Sequence, residues 1–266
     1  MMENKSSVNH TKPVDLFLFM GQSNMAGRGI TCERWTETAP QITEGAGYEY
    51  RAVTAPDCLS VVEEPFGRAE NREDGINDRE RKSGSMVTAF INAYYQETQV
   101  PIVGISASEG GTSILQWQPD GAFLKDVEGR LNSCRQYLAR EGWTIRHTCM
   151  LWCQGETDGD HKMSGADYRK YFGAMWQEMQ RMGVEKCFLI LIGNYNGSEE
   201  ISYVPIQQAQ RELPQLYKDV VLVNDSFPSM KERGLMKDAF HYYQKAYNEV
   251  GEKAGRNAAQ EIVNKF

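Results

Sequence analysis

Short apolar runs recur along the chain and are separated by amphipathic segments. The runs are rich in Val, Ile, Leu and Phe, and each is long enough for one buried strand. They span residues 15–20, 100–106, 148–153, 186–193 and 219–224. The pattern therefore predicts five core strands.

The segments between these runs carry apolar residues at helical spacing. In residues 85–97, for example, Met86, Phe90 and Tyr94 fall on one side of a helix. Further helices are predicted at residues 122–140, 166–182, 203–217 and 242–266. Strands that alternate with helices are typical of a parallel sheet covered by helices on both faces.

Two segments do not follow this pattern. Residues 1–13 are polar and are predicted to be a disordered tail, without the apolar stretch of a signal peptide, so we expect a cytoplasmic protein. Residues 32–84 are irregular, with possible short strands at 48–53 and 59–62. We interpret residues 14–266 as one domain, in which the 32–84 insertion forms a wall of the active-site cleft.

The composition is that of a globular protein, with 266 residues, 41% hydrophobic and 24% charged. A formal net charge of −7 disfavours nucleic acid and anionic membranes as partners, because both attract positive surfaces. The six cysteines are scattered and form no C-x-x-C pair, so reduced thiols are expected. The oligomeric state stays open.

Polar clusters follow several of the predicted strands. They occupy residues 21–24, 109–113, 154–158 and 225–240. Because functional loops of a parallel sheet gather beyond the carboxyl ends of its strands, we expect these four clusters to converge at one edge.

Ser23 is the candidate nucleophile in the first cluster. It comes three residues after a predicted buried strand, where a small hydroxyl can be presented to a substrate. The alternative is that residues 21–29 are only a strand-to-helix turn, since Gly, Ser and Asn are ordinary turn residues.

A serine nucleophile needs a base, and the chain has four histidines. His241 is our candidate, because Asp238 three residues earlier can lie on the same turn and accept a hydrogen bond from Nδ1. The alternatives are His161 as the base, Asp225 as the acid, and Asp238 as a simple helix cap. His10 lies in the predicted tail, and His147 precedes a strand on the side away from the site.

An oxyanion needs aimed hydrogen-bond donors. Backbone N–H groups of Ser23 and of the Gly110–Gly111 turn are candidates, together with the side-chain amide of Gln154. The alternatives are that Gly110–Gly111 is a plain tight turn and that Gln154 is a surface residue.

Glu156 and its acidic neighbours lack the spacing of known metal sites, so Glu156 is assigned a supporting hydrogen-bonding role and no metal is expected. Trp117, Trp152 and Arg28 are candidates for a sugar pocket, or else packing and surface residues.

Four blocks in this order resemble the conserved blocks of SGNH-type esterases. They are Gly21-Gln22-Ser23-Asn24-Met25, Glu109-Gly110-Gly111-Thr112, Gln154-Gly155-Glu156-Thr157-Asp158 and Asp238-Ala239-Phe240-His241. The closest similarity is to the sialate O-acetylesterase and acetylxylan esterase group, carbohydrate esterase family six. It implies a three-layer α/β/α, flavodoxin-like fold and no cofactor.

The resemblance also implies a function and a set of site residues. It implies removal of O-acetyl groups from a small carbohydrate of the sialic acid or xylo-oligosaccharide type, through an acetyl-enzyme. Ser23, Asp238 and His241 form the implied triad. Ser23 N–H, Gly110 N–H and the Gln154 side chain form the implied oxyanion hole, with Gly111 left open as the alternative to Gly110. The remaining alternatives are an esterase for another acyl group or a non-sugar ester, and a non-catalytic carbohydrate-binding protein.

Overall fold

A seven-stranded sheet forms the centre of the protein, as a computed structural model shows for residues 12–79, 81–198 and 200–265. The strands are β1 (Lys12–Gly21), β2 (Gly47–Arg51), β3 (Ala55–Val61), β4 (Ile102–Ser108), β5 (Trp143–Cys153), β6 (Lys186–Ile190) and β7 (Val220–Asn224). Their order is β3-β2-β4-β1-β5-β6-β7. All neighbours pair in parallel except β2 and β3, which pair antiparallel.

In the described part of the chain, seven α-helices and two 3-10 helices connect the strands or follow the last one. The α-helices are α1 (Ser23–Ala26), α2 (Val87–Thr98), α3 (Ala122–Arg140), α4 (Glu156–Asp160), α5 (Gly165–Arg181), α6 (Val204–Leu216) and α7 (Gln244–Lys265). The 3-10 helices are Ile114–Trp117 and Phe227–Met230. None of these helices is long and apolar enough to cross a membrane.

Strand β1 shows why the sheet is covered on both faces. Its side chains alternate, so Leu16 and Leu18 pack with α3, α5 and α6, whereas Phe17 and Phe19 pack with α2 and α7. All four side chains are buried. The three-layer α/β/α architecture predicted from the sequence is therefore confirmed.

The register of the central strands aligns their carboxyl ends. Gly21 at the end of β1 pairs with Ser108 at the end of β4 and with Cys153 at the end of β5. The residues that follow each strand consequently emerge at the same edge, as predicted.

Some predicted boundaries are wrong. Lys12 and Pro13 were placed in the tail, but they pair with Trp143 and Thr144 and begin β1, and residues 1–11 lie outside the described residues. Strand β5 starts at Trp143 rather than at residue 148 and so includes His147, because its first half alternates exposed and half-buried positions instead of forming an apolar run. Within the 32–84 insertion, β2 extends the sheet by pairing with β4, and β3 pairs with β2 at the sheet edge.

Candidate active site

A sharp turn after β1 presents Ser23. Gly21 has a φ of 139°, and a Cβ atom there would lie 2.1 Å from the carbonyl oxygen of Cys153, so only glycine fits this turn. Gln22 N then donates to the same carbonyl at 3.0 Å, and α1 begins at Ser23. The Ser23 backbone N–H has no hydrogen-bond partner within the described residues.

Ser23, His241 and Asp238 form one hydrogen-bonded chain. Nε2 of His241 lies 3.0 Å from Oγ of Ser23, and Nδ1 lies 3.0 Å from Oδ2 of Asp238. The other carboxylate oxygen of Asp238 accepts hydrogen bonds from the backbone N–H groups of Phe240 and His241, both at 2.8 Å. The predicted base and acid are thus brought to the predicted nucleophile.

The surroundings set the charge of this pair. Burial lowers the pKa of His241 below its ordinary value, although Asp238 works in the opposite direction. Burial opposes ionisation of Asp238, but the hydrogen bonds from Phe240 and His241 hold its pKa below the ordinary value. At neutral pH the pair is a neutral imidazole beside a carboxylate, which is the state that can accept the serine proton.

Two contacts anchor the loop that carries His241. Nδ2 of Asn24 donates to the Phe240 carbonyl at 3.2 Å, which joins this loop to α1. Asn196, in the loop after β6, donates its N–H to the Ala239 carbonyl at 3.0 Å. The loop after β6 was not among the four predicted clusters, because its sequence carries no acid, histidine or serine beside the strand end.

A cavity of about 210 Å³ opens at Ser23 and His241. All four predicted clusters contribute to its lining, which comprises Gln22, Ser23, Arg28, Arg81, Gly110, Gly111, Glu156, Thr157, Asp160, Phe240 and His241. Arg81 belongs to the 32–84 insertion, so the insertion forms part of the wall as expected. A larger cavity of about 610 Å³, lined by residues including Gly29, Glu64 and Gln244, contains none of the triad; we assign the site to the smaller one because the reactive groups are there.

The Gly110–Gly111 turn reaches the cavity, but the N–H of Gly110 is already occupied. It donates to Oδ1 of Asp78 at 2.8 Å. The N–H of Gly111 has no partner within the described residues. The expected oxyanion donor Gly110 thus already has an internal acceptor, whereas Gly111, the alternative that the sequence left open, has none among the described residues.

Gln154 does not line the cavity, contrary to expectation. Its side chain is fully buried, and its Nε2 donates to the Thr112 carbonyl at 2.9 Å and to Asp158. Its Oε1 lies 3.2 Å from the hydroxyl of Tyr168, which donates to it. Because both ends of the amide have internal partners, Gln154 holds the loops together rather than facing a substrate.

Gln22, rather than Gln154, is the glutamine that lines the cavity. Its Oε1 accepts the backbone N–H of Gly155 at 3.1 Å, which fixes the orientation of the amide. Its Nε2 makes no hydrogen bond to any described residue, and the side chain lines the cavity. Its place directly before Ser23 was the only signal in the sequence, and that does not distinguish it from a turn residue.

Glu156 lies at the base of the cavity as a buried acid. Oε1 accepts from Nδ2 of Asn24 at 2.5 Å, whereas Oε2 is buried without a partner within the described part of the chain. Burial raises the pKa of Glu156 to about 7. Glu156 thus forms a hydrogen bond as predicted, and its partner is the side-chain amide of Asn24.

Most of the other candidates do not line the cavity. Asp225 pairs with Lys253 at 3.0 Å, and His147 lies 3.1 Å from Glu185. His161 is exposed at the end of α4, and His10 lies outside the described residues. The remaining candidates divide: Trp117 and Trp152 are buried in the core, whereas Arg28 lines the cavity. Among the described residues no group of three or more His, Cys, Asp or Glu side chains could hold a metal ion.

Comparisons with known proteins agree with this geometry. A profile of the family described as "Carbohydrate esterase, sialic acid-specific acetylesterase" matches residues 13–260. A search of curated proteins gave no significant match.

Solved structures with the same fold include a protein from Arabidopsis thaliana, with a TM-score of 0.71 and 20% identity over 96% of this chain and 99% of that chain. A carbohydrate acetylesterase from Xanthomonas citri has a TM-score of 0.60 and 16% identity, over 94% of this chain and 57% of that chain. At these identities the two structures establish the fold alone.

Proposed function

Because the chain belongs to the sialic acid-specific acetylesterase family of carbohydrate esterases, and is thus a carboxylic ester hydrolase, we propose that it removes O-acetyl groups from a carbohydrate through an acetyl-enzyme formed on Ser23. The observation that carries this proposal is the hydrogen-bonded chain from Asp238 through His241 to Ser23.

In the first half of the proposed reaction, Oγ of Ser23 attacks the acetyl carbonyl carbon while Nε2 of His241 takes its proton. Asp238 keeps the other ring nitrogen protonated and stabilises the imidazolium that forms. The tetrahedral intermediate then collapses, and His241 returns the proton to the departing sugar oxygen. The products of this half are a free sugar hydroxyl and an acetyl ester on Ser23.

Three donors around the cavity suit the developing oxyanion. They are the N–H groups of Ser23 and Gly111 and Nε2 of Gln22, none of which has a partner within the described residues. Donors without protein partners are available to a substrate oxygen at no cost in internal hydrogen bonds.

In the second half, a water molecule takes the place of the sugar. His241 removes one proton from it as the oxygen attacks the acetyl carbon, and Ser23 leaves with that proton. Acetate is released and the enzyme returns to its starting state.

The size of the cavity supports a small acyl group. A volume of about 210 Å³ lies below the roughly 300–1,000 Å³ of sites that enclose drug-sized ligands. An acetyl group and part of one sugar fit this space, whereas a long acyl chain would extend into solvent.

Arg81 favours an acidic sugar over a neutral one. Its guanidinium belongs to the cavity lining, and its side chain is 53% exposed. Nε donates to the Asp78 carbonyl, and the exposed part of the guanidinium can meet a substrate carboxylate. A sialic acid carries such a carboxylate and a xylo-oligosaccharide does not. Of the two sugar classes, we therefore propose the sialic acid type.

A panel of esters tests the proposed function. Acetate release is measured from O-acetylated sialic acid, acetylated xylo-oligosaccharide, p-nitrophenyl acetate and p-nitrophenyl esters of longer acids, with the Ser23→Ala variant as control. We expect the highest kcat/KM on an acetylated sugar and none above background for the variant. A preference for longer acyl chains or for non-sugar esters would favour the alternative esterase.

A further inference from the structure

Asn77 and Asp78 of the 32–84 insertion form hydrogen bonds with Glu109 and Gly110 in the turn after β4. The backbone N–H of Asn77 donates to Oε2 of Glu109 at 2.6 Å. In the opposite direction, the N–H of Gly110 donates to Oδ1 of Asp78 at 2.8 Å. The turn after β4 is thus held by a segment more than 30 residues away in sequence.

Asp78 also binds the two arginines of the cavity. Nη2 of Arg28 donates to the same Oδ1 at 2.7 Å, and Nε of Arg81 donates to the Asp78 carbonyl at 3.0 Å. Arg28, Arg81 and Gly110 all line the cavity, but Asp78 does not and is only 1% exposed. The buried carboxylate therefore supports two lining groups, Arg28 and Gly110, from behind, and the backbone carbonyl of the same residue supports Arg81.

Gly110 lies between Arg28, which Asp78 holds in place, and Ser23, with little free space on either side. A Cβ atom at Gly110 would lie 2.6 Å from Nη2 of Arg28 and 3.3 Å from Cβ of Ser23. Gly111, by contrast, has a φ of 78° and open space where its Cβ would be. A shift of Asp78 would consequently move the turn relative to Ser23 and carry the Gly111 N–H with it.

A carboxylate close to an oxyanion would oppose its formation unless the charge were compensated. The Arg28 guanidinium supplies that compensation at 2.7 Å, in a pair that is almost entirely buried. The charge-assisted hydrogen bonds that Oδ1 accepts are stronger and more directional than neutral ones. Asp78 can thus hold the turn without leaving a net negative charge beside it.

We propose that Asp78 is a positioning residue that fixes the Gly110–Gly111 turn and Arg28 against Ser23, so that the oxyanion donor is in place before the substrate binds. This inference rests on the proposed function, because it concerns the same ester hydrolysis. Donors that are already in place stabilise the transition state without reorganising during the reaction. Substitution of Asp78 should therefore lower kcat and leave KM nearly unchanged.

The variants Asp78→Ala and Asp78→Asn test this role. We expect Asp78→Ala to lower kcat on p-nitrophenyl acetate by about 30-fold or more with KM changed less than about threefold, because loss of a single oxyanion donor lowers turnover by 10²–10³. Asp78→Asn keeps an acceptor oxygen but not its charge, so we expect a smaller loss of about fivefold. The rate of Ser23 labelling by a fluorophosphonate, whose P=O oxygen takes the oxyanion position, should fall by the same factors.

The matched control is Asp74→Ala. Asp74 lies in the same insertion and pairs with Arg72, but its side chain is 75% exposed and does not contact the turn. We expect its kcat and labelling rate to equal those of the unmodified protein. All rates are measured well below each variant's thermal midpoint, so that unfolding does not contribute.

Unchanged kcat and labelling in Asp78→Asn, or losses that appear in KM alone, would overturn the proposal even if Asp78→Ala fails to fold. Either outcome would leave the dependence on Ser23 intact, so the proposed function would stand. If Ser23→Ala retained full activity, the proposed function itself would fail.

Discussion

The hydroxyl oxygen of Ser23 lies 3.0 Å from Nε2 of His241, although 218 positions separate the two residues in the chain. Ser23 starts the short helix after β1, and His241 lies just before α7. The parallel sheet brings them together because both follow strand ends at one edge. The predictions below follow from this pair and from the groups that surround it.

The pH dependence of hydrolysis should follow His241. Only the neutral imidazole accepts the Ser23 proton, so activity is lost as the pH falls through the pKa of His241. Because burial lowers that pKa, the acid limb of kcat/KM should lie below pH 6.5. The measurement is the pH profile with p-nitrophenyl acetate.

The control for this profile is His161→Ala, which should keep the same acid limb because His161 is exposed and does not line the cavity. An acid limb above pH 6.5, or one that disappears in the His161 variant, would contradict the assignment of the base.

Gln22 and Gln154 should respond differently to substitution. Gln22→Glu keeps the acceptor for Gly155 but replaces the free Nε2 donor, so kcat should fall by about 10²–10³ with little change in folding. Gln154→Ala removes one of the buried donors to Asp158, beside those of Ser113 and Ile114, and should lower the free energy of unfolding by about 1–3 kcal/mol. Steady-state kinetics and denaturant unfolding separate the two effects. Full activity in Gln22→Glu would exclude Gln22 as an oxyanion donor.

Glu156 should make the protein less stable as the pH rises. Its pKa is about 7 in the folded protein and ordinary, near 4.5, in the unfolded chain, so the folded state binds more protons between these values. The stability it contributes is complete below pH 4.5 and is lost as the pH rises through 7. Glu156→Gln is neutral at every pH and should therefore be more stable than the unmodified protein at pH 8, by up to about 3 kcal/mol.

Urea unfolding at pH 5 and pH 8 measures this difference. At pH 5 the Glu156 carboxyl of the folded protein is protonated and is therefore neutral, like the amide of the Glu156→Gln variant. The unmodified protein and the variant should consequently be close in stability at this pH. A stability gap that is equal at the two pH values would show that Glu156 is ionised throughout the range.

Arg81 should affect acidic sugars selectively. Arg81→Ala removes a guanidinium from the cavity wall, so kcat/KM on O-acetylated sialic acid should fall by about tenfold, the equivalent of one charge-assisted hydrogen bond. Activity on acetylated xylo-oligosaccharide should change by less than about twofold. Arg79→Ala is the matched control, because Arg79 is exposed and does not line the cavity. An equal loss on both sugars would argue against carboxylate binding by Arg81.

The sequence was sufficient for the fold and for the three side chains that the structure joins in one hydrogen-bonded chain. Alternating strands and helices determine the layers, and Ser23 and His241 were recognisable because few residue types can act as nucleophile and base. It was not sufficient to identify which N–H groups face the cavity without an internal acceptor. Gln22 and Gln154 both follow buried strands, and only their hydrogen-bond partners decide which amide faces the cavity. The bond from Gly110 to Asp78 joins residues 32 positions apart and has no local pattern.

Covalent labelling tests the central role of Ser23 most directly. The folded protein is treated with a fluorophosphonate, its residual activity is followed, and the modified peptide is identified by mass spectrometry. We predict one adduct per chain, located on Ser23, that forms in parallel with the loss of esterase activity and is absent in Ser23→Ala. Complete inactivation with the adduct on another residue, or full activity after Ser23 has been modified, would contradict the account.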